Sequence, residues 1–499
     1  MTVLRTYSPC RTRIEGLPLA GSKERLQVES ALSYRDKKAM YALKRLKNSS
    51  WLRQSIIESK GEDAYLEELR KLKEQQNGSC LFPDDETYSG LGPRLQAILG
   101  CELINEVEYP DRELIPWDNQ PKNSLRGYQR EAVDRLLAAR HGAVELATGL
   151  GKSTIILYLA KALGLPTVVM APSRSIANQL YADFKYALGG KRVGFFGDGK
   201  KDCGKLVTIA IAASLVRVEP GSEFWDVFQK KQVFVADESH LTPAATLQQV
   251  CFGLLANAPY RMFFSATQMR NDGLDVVLEG ITGPVTMRMS TRQGIEEGFL
   301  AKPHFRVVPV ESEDDYRSPD TMRLHRHHVV NNRQLAKTAA ALANMTVDRL
   351  KTPCLILIDE LPQFTHLLPH LRHKVALAHA ADGKKAREDI PAGYQVSDVD
   401  ALVKTFNAGD LPILVGTSCV STGTDFTKVG HVIYMVGGGS EIALRQAIGR
   451  GTRKPEGKSS FIFTDFDVID VPELHRQAES RRAIYADIWE PASEVKFNG

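Results

Sequence analysis

The sequence predicts an α/β protein in which two domains with parallel sheets follow one another, preceded by a smaller, mostly helical domain. Short runs rich in β-branched residues alternate with longer helical runs, which is the pattern of a parallel sheet covered by helices. The alternation stops near residues 303–311 and then resumes. A chain of 499 residues is also too long for one ordinary core, so two or three domains are expected.

The first 120 residues differ in composition from the rest of the chain. Residues 30–74 are rich in Ala, Leu, Lys, Glu and Arg and contain no proline, which predicts helices. Glycines and prolines between Gly78 and Pro121 predict turns and a linker. We therefore expect an N-terminal accessory domain over residues 1–120, a first α/β domain over 121–305 and a second over 306–499, the last with a C-terminal extension.

Ten β-branched segments are the candidate strands of the two sheets. In the first domain they span residues 143–146, 167–170, 206–211, 232–236 and 261–265. In the second domain they span residues 354–358, 374–378, 413–416, 431–435 and 460–464. Two α/β domains in tandem follow from this arrangement.

Composition excludes several classes of protein. Hydrophobic residues make up 43% and charged residues 25% of the chain, which argues against a disordered, fibrous or membrane protein. No stretch reaches the roughly 18 to 20 apolar residues that cross a bilayer, and the polar start lacks the apolar core of a signal peptide. We expect no membrane partner and a cytoplasmic location. The seven cysteines are scattered and form no C-x-x-C pair, so neither a disulfide framework nor a zinc site is indicated.

Charge is distributed unevenly, although the net charge is only +4. Residues 5–53 are basic, whereas residues 84–118 are dominated by acids. Tyr34, Tyr41 and Trp51 lie among these basic residues. The basic side chains are suited to contact nucleic-acid phosphates, and the aromatic rings are suited to stack on an unpaired base. An ordinary amphipathic helix with its aromatic side chains packed inward is the alternative.

The first chemical landmark is A-T-G-L-G-K-S at residues 147–153, between a predicted strand and a predicted helix. Such a loop directs backbone N–H groups and a helix N-terminus at phosphate oxygens, while Lys152 supplies a cation and Ser153 a hydroxyl for Mg²⁺. Leu146 stands where the usual pattern has its first glycine, and a glycine turn with an incidental lysine is the alternative. The candidate nucleotide-binding residues of this loop are Thr148, Gly149, Gly151, Lys152 and Ser153.

A pair of acids follows a second predicted strand. The sequence D-E-S-H at 237–240 comes directly after the apolar run 233–236. In a nucleotide site Asp237 would hold Mg²⁺, and Glu238 would orient and deprotonate the attacking water. Adjacent acids on a loop are usually solvated, but the preceding strand and the phosphate loop favour the functional interpretation.

Together these segments resemble a superfamily 2 helicase over residues 125–467. In that family the glutamine of L-R-G-Y-Q, here Gln129 with Arg126 nearby, reads the adenine edge. A-P-S-R at 171–174 resembles the motif that touches the nucleic-acid backbone, through Pro172 and Arg174. S-A-T at 265–267 resembles the motif that links the ATP state to strand binding. The resemblance implies two RecA-like domains with a shared ATPase mechanism.

Two further motifs of the family occur in the second domain. Residues 417–425 resemble motif V, which implies roles for Thr417 and Ser418 on nucleic acid and for Gly423 and Asp425 on the nucleotide. Residues 446–453, Q-A-I-G-R-G-T-R, resemble motif VI. The candidate catalytic residues of motif VI are Gln446, Arg450 and Arg453.

The two arginines of motif VI also have a physical rationale. A guanidinium that reaches the γ-phosphate stabilises the charge of the transition state and is worth on the order of 10³ to 10⁵ in rate. If the second domain supplies Arg450 and Arg453, hydrolysis becomes coupled to domain movement, as a motor requires. A solvated basic face is the ordinary alternative for an R-x-x-R pair.

The resemblance is strongest to the branch that comprises XPB, the phage UvsW helicase and restriction-enzyme translocases. It rests on D-E-S-H, on L-R-G-Y-Q and on residues 294–303, whereas DEAD-box RNA helicases carry D-E-A-D and a histidine in place of Gln446. That branch acts on DNA. The resemblance therefore implies an ATP- and Mg²⁺-dependent DNA helicase, able to act as a monomer on single-stranded, forked or branched DNA, in the cytoplasm of a bacterium or a phage-infected cell.

Three alternatives stay open. An RNA helicase or ribonucleoprotein remodeller could use the same ATPase core, and a DNA translocase could use it without separating strands. A clamp that binds nucleic acid without hydrolysis is the third. His325, His327 and His328 are predicted to lie on a solvated helix and not at a metal site, because no cysteine or acid stands at ligand spacing in the sequence.

Overall fold

The structure, a computed structural model, describes residues 2–266, 273–379, 390–391, 393–394, 399–417, 420 and 426–495. The chain divides into two compact units. The first comprises Met1–Leu146 with Gly151–Arg288, and the second comprises Ala147–Leu150 with Met289–Gly499. Among the described helices, none is long and apolar enough to cross a bilayer.

The N-terminal part of the first unit combines helices with two small sheets. Its strands are β1 Val3–Ser8, β2 Arg11–Glu15, β3 Ser33–Arg35, β4 Asn77–Ser79, β5 Glu86–Tyr88 and β6 Glu102–Asn105. Its helices are α1 Lys23–Leu32, α2 Lys37–Asn48, α3 Ser50–Lys60, α4 Glu62–Gln76 and α5 Gly92–Leu99. One sheet has the order β5-β2-β1-β6, and β3 pairs with β4. Helices α2, α3 and α4 occupy the residues that were predicted to be helical. Helix α1 lies mostly before that range, α5 lies where turns and a linker were expected, and the strands were not predicted.

Local capping explains why residues 30–74 form several helices and not one. Asp36 Oδ1 accepts the backbone N–H groups of Lys38 and Ala39 at the start of α2. Ser49 Oγ accepts from the third residue of α3 at 3.2 Å. Gly61, between α3 and α4, has φ +88°, which side chains rarely adopt. The three breaks turn the segment into a compact bundle.

The larger sheet of the first unit has eight strands. They are β7 His141–Leu146, β8 Thr167–Ala171, β9 Val193–Gly197, β10 Lys200–Lys201, β11 Val207–Ile211, β12 Val233–Ala236, β13 Tyr260–Ser265 and β14 Val285–Met289. The order is β10-β9-β11-β8-β12-β13-β7-β14, with β9 to β7 running parallel and β10 antiparallel to β9. The five predicted strands are confirmed to within two residues at each end.

Helices cover this sheet and connect its strands. They are α6 Gly127–Ala139, α7 Lys152–Leu163, α8 Arg174–Leu188, α9 Ala212–Leu215, α10 Glu223–Gln229, α11 Ala244–Gln249 and α12 Asp275–Thr282. The N-terminal sheet shares a hydrophobic core with the larger one, in which Leu4 packs in the same cluster as Phe234 and Phe263. Tyr88 stacks on Phe252 with ring centroids 4.7 Å apart. A separate accessory domain over residues 1–120 stays a prediction.

The second unit contains a sheet of seven strands, which run parallel. They are β15 Lys302–Val310, β16 Cys354–Leu357, β17 Val375–Ala378, β18 Ile413–Gly416, β19 His431–Tyr434, β20 Ser460–Val468 and β21 Ser493–Glu494, in the order β17-β18-β16-β19-β20-β15-β21. All five predicted strands are present, and β20 is four residues longer than predicted.

The described helices of the second unit are α13 Thr291–Glu296, α14 Thr321–His325, α15 Arg333–Met345, α16 Pro362–Leu367, α17 Val399–Ala408, α18 Glu441–Gly449 and α19 Pro472–Ile488. Short 3₁₀ or π turns in the chain span Pro83–Asp85, Ser89–Leu91, Ser239–Leu241, Val250–Leu254, Arg326–Val330, Thr346–Leu350 and Leu368–His370.

The predicted domain boundary at 305/306 falls inside β15, a strand that the sequence did not reveal. Its two prolines, Pro303 and Pro309, suggested a linker, because proline cannot donate to a sheet. Lys302 N donates to Ser459 O on the β20 side, so even-numbered N–H groups face β20. Both prolines therefore direct their missing N–H toward the other side, where, within the part of the chain that the structure describes, the short β21 pairs with this strand.

Candidate nucleotide-binding site

The phosphate loop connects the end of β7 to the start of α7. Gly151, the last residue before the helix, has φ +77°, and a Cβ atom there would lie 2.5 Å from Gln129 Nε2. The positive φ makes any other residue strained at this position, and a side chain there would also displace Gln129. The helix N-terminus directs its first N–H groups toward the loop, which suits an anion.

Lys152 is 7% exposed, and two groups fix its ammonium. Lys152 Nζ donates to the carbonyl oxygen of Leu146 at 3.2 Å and lies 3.0 Å from Glu238 Oε1. Ser153 follows it in the first turn of α7 and is half-buried. The structure thus places the end of one strand, the first turn of a helix and an acid from a second strand at one point.

The acid pair lies where the fully buried strand β12 ends. Asp237 is 4% exposed, and its Oδ1 accepts the N–H of Glu238 at 2.9 Å. Burial, together with the neighbouring Glu238 carboxylate, raises the pKa of Asp237 to about 7, while Lys152 acts in the opposite direction. Glu238 has φ +46°, which turns its side chain toward Lys152.

These residues fit a nucleotide phosphate with its Mg²⁺. A buried carboxylate with a raised pKa gains from a divalent cation, because the cation compensates the charge that burial penalises. Asp237 and the hydroxyl of Ser153 are the oxygen ligands that Mg²⁺ prefers. Lys152 and the N-terminus of α7 are the matching groups for phosphate oxygens.

Gln129 connects the start of α6 with the phosphate loop. It is 3% exposed; its Oε1 accepts the N–H of Arg126 at 2.9 Å, and its Nε2 donates to Gly151 O at 3.4 Å. Arg126, before the first residue of α6, is exposed. The structure therefore brings Gln129 to the phosphate loop.

In the second unit, motif VI forms the end of α18 and the turn that follows it. Gln446 is half-buried in the helix, Arg450 is 6% exposed directly after it, and Arg453 is half-buried. Lys458 Nζ donates to Gly451 O at 2.6 Å, and burial lowers the pKa of Lys458 to about 8. The chain around both arginines is thus held by its own hydrogen bonds.

Thr148 and Gly149 belong to the short segment that is grouped with the second unit. Gly149 has φ +95°, and the carbonyl oxygen of Thr148 accepts a hydrogen bond from Thr452 Oγ1 at 3.3 Å. The same hydroxyl lies 2.9 Å from Gly449 O. Thr452, between the two candidate arginines, is fully buried.

Two family models match the chain. One is described as "Type III restriction enzyme, res subunit" and matches residues 122–270; the other is "Helicase conserved C-terminal domain" and matches residues 364–455. The DNA 3'-5' translocase XPB2 of Sulfurisphaera tokodaii is 21% identical over 420 residues, which cover 76% of this chain and 90% of that protein. The chain is a superfamily 2 helicase.

Other similarities support this assignment. The helicase is 21% identical to the ATP-dependent DNA helicase uvsW of Enterobacteria phage T4 over 381 residues, 72% of this chain and 71% of that protein. It also matches the solved structure of the ATP-dependent Type ISP restriction-modification enzyme LlaBIII bound to DNA with a TM-score of 0.51 and 15% identity, covering 74% of this chain and 30% of that one. The structural match shows the RecA-like fold.

A contact that the sequence did not predict links two motifs of this helicase. His240 Nδ1 forms a hydrogen bond with Ser265 Oγ at 2.8 Å and lies 3.5 Å from Glu238 Oε2. Both residues stand inside recognisable patterns, D-E-S-H and S-A-T, but their pairing depends on β12 lying beside β13. Ser239 Oγ donates to Phe264 O at 3.2 Å and strengthens the same junction.

The structure describes some of the candidate nucleic-acid residues of the helicase and not others. Pro172 lies between β8 and α8, and Arg174, the first residue of α8, is exposed and pairs with Asp198 at 2.7 Å. Thr417 follows β18, and its N–H donates to Ala378 O at 3.1 Å. Thr267, Ser418, Gly423 and Asp425 lie outside the described residues.

Proposed function

We propose that this helicase hydrolyses ATP with Mg²⁺ to move along DNA and to unwind or branch-migrate forked and branched DNA in replication, recombination or repair. The observation that carries the proposal is the position of Lys152, between the Leu146 carbonyl and Glu238 and next to the buried Asp237. A phosphate-binding cation, a metal ligand and a general base are thereby close together within one unit.

Each residue of the site has a proposed role in hydrolysis. Lys152 and the N-terminus of α7 bind the outer phosphates, and Ser153 and Asp237 hold Mg²⁺. The metal, when bound, neutralises charge on the phosphates. Glu238 orients the attacking water and accepts its proton. Before nucleotide binds, the contact with Lys152 holds the carboxylate of Glu238 in place.

The second unit supplies guanidinium groups in this proposal. Arg450 and Arg453 stabilise the charge that spreads over the γ-phosphate in the transition state, with Gln446 beside them. The hydrogen bonds around Gly451 and Thr452 hold the turn that carries both arginines. Arg126 and Gln129 contact the adenine, and Gly423 and Asp425 contribute to the nucleotide site.

DNA is the proposed partner because of the N-terminal helices and the relatives. Helix α2 carries five basic residues and no acid, and it borders a groove of about 750 Å³ between α2, α3 and α4. Tyr41 and Trp51 are each 73% exposed, so these two aromatic side chains do not pack inward. Basic groups beside exposed rings suit nucleic-acid phosphates and bases. The two compared relatives are named as a DNA translocase and a DNA helicase.

A substrate panel tests the choice of DNA over RNA. The full chain is assayed for ATP hydrolysis and strand separation with single-stranded DNA, forked DNA, four-way junctions, duplexes with tails of both polarities, and RNA. We expect DNA to stimulate ATPase and forked or branched DNA to be unwound. Stimulation by RNA alone would identify an RNA remodeller, and DNA-stimulated ATPase without strand separation would identify a translocase.

Glu238→Gln tests the proposed general base. The variant keeps the shape of the side chain, and its amide oxygen can still accept from Lys152, but it cannot accept a proton. We therefore expect ATP binding to persist and turnover to fall by about 10² to 10⁴. Nucleotide binding and single-turnover hydrolysis distinguish the two effects. Glu279→Gln is the matched control, because that carboxylate is paired with Arg94 at 2.6 Å instead of facing Lys152. Full turnover in Glu238→Gln contradicts the assignment and favours a different base.

Arg453→Ala tests the contribution of the second unit. We expect kcat to fall by on the order of 10³ or more with little change in ATP affinity, because a guanidinium that contacts only the transition state does not contribute to ground-state binding. Arg445→Ala is the control, since that arginine is already paired with Glu441 and Asp487. Unchanged hydrolysis in Arg453→Ala removes the proposed coupling between the units.

A further inference from the structure

A cluster of metal-ligand side chains lies in the second unit, in a segment that the proposed ATPase mechanism does not use. The carboxylate of Asp314 and one nitrogen each of His327 and His328 all lie within 4.8 Å of one another. His327 Nε2 is 2.9 Å from both carboxylate oxygens of Asp314. The histidines are thirteen and fourteen residues from Asp314, so a turn of the chain brings them together.

The surrounding chain orients these three side chains. The backbone N–H of Tyr316 donates to Asp314 Oδ1 at 3.0 Å, and the Tyr316 ring stacks on His327 with centroids 4.3 Å apart. His328 is 2% exposed and directs its Nε2 toward the carbonyl oxygen of Tyr316 at 3.0 Å. The histidines belong to the π turn Arg326–Val330, whose widened backbone follows directly on α14. The cluster is therefore held in place before any ligand binds.

We propose that Asp314, His327 and His328 bind a divalent transition-metal ion, with zinc as the expected ion. Two imidazole nitrogens and a carboxylate oxygen are a common set of three protein ligands for zinc, with bonds of about 2.0 to 2.2 Å and a solvent molecule in the fourth position. The side chain of Asp314 is 52% exposed and that of His327 is 37% exposed, which leaves room for that solvent molecule. In each histidine the nitrogen that binds the ion is unprotonated, and the imidazole proton resides on the other ring nitrogen.

In a second cluster of the same unit, an arginine side chain already occupies the place that a cation would take. Asp467, His475 and Glu479 also lie within 4.8 Å of one another. There Arg482 Nη1 donates to Asp467 Oδ2 at 2.8 Å and also to Glu479, so a guanidinium already neutralises both carboxylates. The carboxylate of Asp314 instead accepts from an imidazole and from a backbone N–H. It is the cluster around Asp314 that gains from a cation.

Metal binding there stabilises the second unit. It joins the segment after β15 to the helical segment that carries the histidines, and His325 in that segment contacts the carbonyl oxygen of Val436 after β19 at 2.7 Å. An ion that binds only the folded chain raises its stability in proportion to the logarithm of metal concentration over Kd.

The test uses the full chain, treated with chelator, dialysed free of it and kept without nucleotide. Zinc sulfate alone is added, and zinc content, calorimetric titration and Tm are measured for the unchanged protein and for the His327→Gln, Asp314→Asn and His475→Gln variants. We expect the unchanged protein and His475→Gln to bind one zinc ion more than the other two variants, or to bind it at least about 10- to 100-fold more tightly. Zinc should raise the Tm of the unchanged protein and of His475→Gln more than that of His327→Gln and Asp314→Asn.

Substitution of cobalt for zinc identifies the ligands independently. We expect a visible spectrum without the intense thiolate bands of a cysteine site, present in the unchanged protein and absent in His327→Gln. The Tm of each variant without metal shows whether it is folded. Equal zinc stoichiometry and affinity in the unchanged protein, His327→Gln and Asp314→Asn would overturn the proposal, as would loss of the zinc ion in His475→Gln alone.

Discussion

His240 connects the two strand ends that carry the acids and the S-A-T sequence. Its Nδ1 lies 2.8 Å from Ser265 Oγ and 3.5 Å from Glu238 Oε2, and the side chain is buried. We infer that His240 orients Glu238 and couples it to the end of β13. It is a positioning residue, because it acts on the reaction through Glu238.

His240→Ala should therefore lower kcat more than it alters ATP binding. We expect kcat in the presence of DNA to fall about tenfold or more, the effect of roughly 1.4 kcal/mol in the barrier, while KM for ATP changes little. His240→Gln should recover part of the loss, because an amide can still hydrogen-bond to Ser265. Steady-state kinetics with and without DNA measure the effect; if His240→Ala keeps the kcat of the unchanged protein, the contact has no role in positioning Glu238.

Some site residues could be selected from the sequence and others could not. Asp237 and Glu238 directly follow the apolar strand β12, and Lys152 follows β7 after a short glycine-containing loop, so both patterns could be recognised in the sequence. The contact of Lys152 with Glu238 requires β7 and β12 to lie in one sheet, with β13 between them. The approach of Asp314 to His327 depends on the turn between β15 and α14, which no periodicity encodes.

At the scale of elements, buried central strands were predictable, whereas the edge strands β10, β14 and β21 were not; the edge strand β17 was predicted. Strands β8, β12 and β13 are fully buried, and apart from Thr167, Arg261 and Ser265 their residues are apolar. Strand β9 contains glycine at two of its five positions, and the edge-side strand β15 contains two prolines. In the N-terminal strands β1 and β2 the buried side includes Thr6 and Thr12, so the apolar–polar alternation of their sequences is weak.

A buried arginine in β13 holds the π turn Val250–Leu254. Arg261, in β13, is fully buried, and its guanidinium donates to Cys10 Sγ at 3.3 Å. The guanidinium group also donates to backbone carbonyl oxygens within and after the π turn Val250–Leu254, namely those of Cys251, Leu255, Ala256 and Ala258. It thus satisfies carbonyl groups that a helix end leaves without partners and connects them to the N-terminal sheet.

Arg261→Met should loosen this junction. Several buried carbonyl groups lose their donor at a cost of about 1 to 3 kcal/mol each, so we expect local stability to fall by at least about 3 kcal/mol. Hydrogen exchange of peptides that cover Val250–Leu254 measures the change directly. Arg70→Met is the control, because Arg70 is exposed on α4 beside Glu67, and its loss should matter by less than about 0.5 kcal/mol. Equal exchange in the two variants would show that Arg261 does not hold the turn.

At the scale of the whole molecule, each unit contains a histidine that burial keeps neutral. Burial lowers the pKa of His141 in the first unit to about 4, and that of His431 in the second unit to about 3. His141 Nε2 lies 2.9 Å from Ile281 O, and His431 lies between the hydroxyls of Thr346 and Thr464. Both units therefore respond to acid through the same physical cause.

The sign of that response follows from proton binding. Below pH 6.5 the unfolded chain protonates each histidine, whereas the folded chain does not until the pH approaches 4 or 3. Full stability is present above pH 6.5 and is lost as the pH falls through this window. At one pH unit below 6.5 the loss is about 1.4 kcal/mol for each histidine.

His431→Gln should remove this contribution in the second unit alone. A glutamine can hydrogen-bond to both threonine hydroxyls but does not titrate, so we expect the difference in stability between pH 7.5 and 5.5 to shrink by about 1.4 kcal/mol. Urea unfolding followed by hydrogen exchange of peptides that cover β19 measures the second unit separately from the first, where His141 continues to titrate. The response of peptides that cover β7 is the internal control and should match that of the unchanged protein. If the variant keeps the full pH dependence at β19, the acid sensitivity of the second unit comes from other groups.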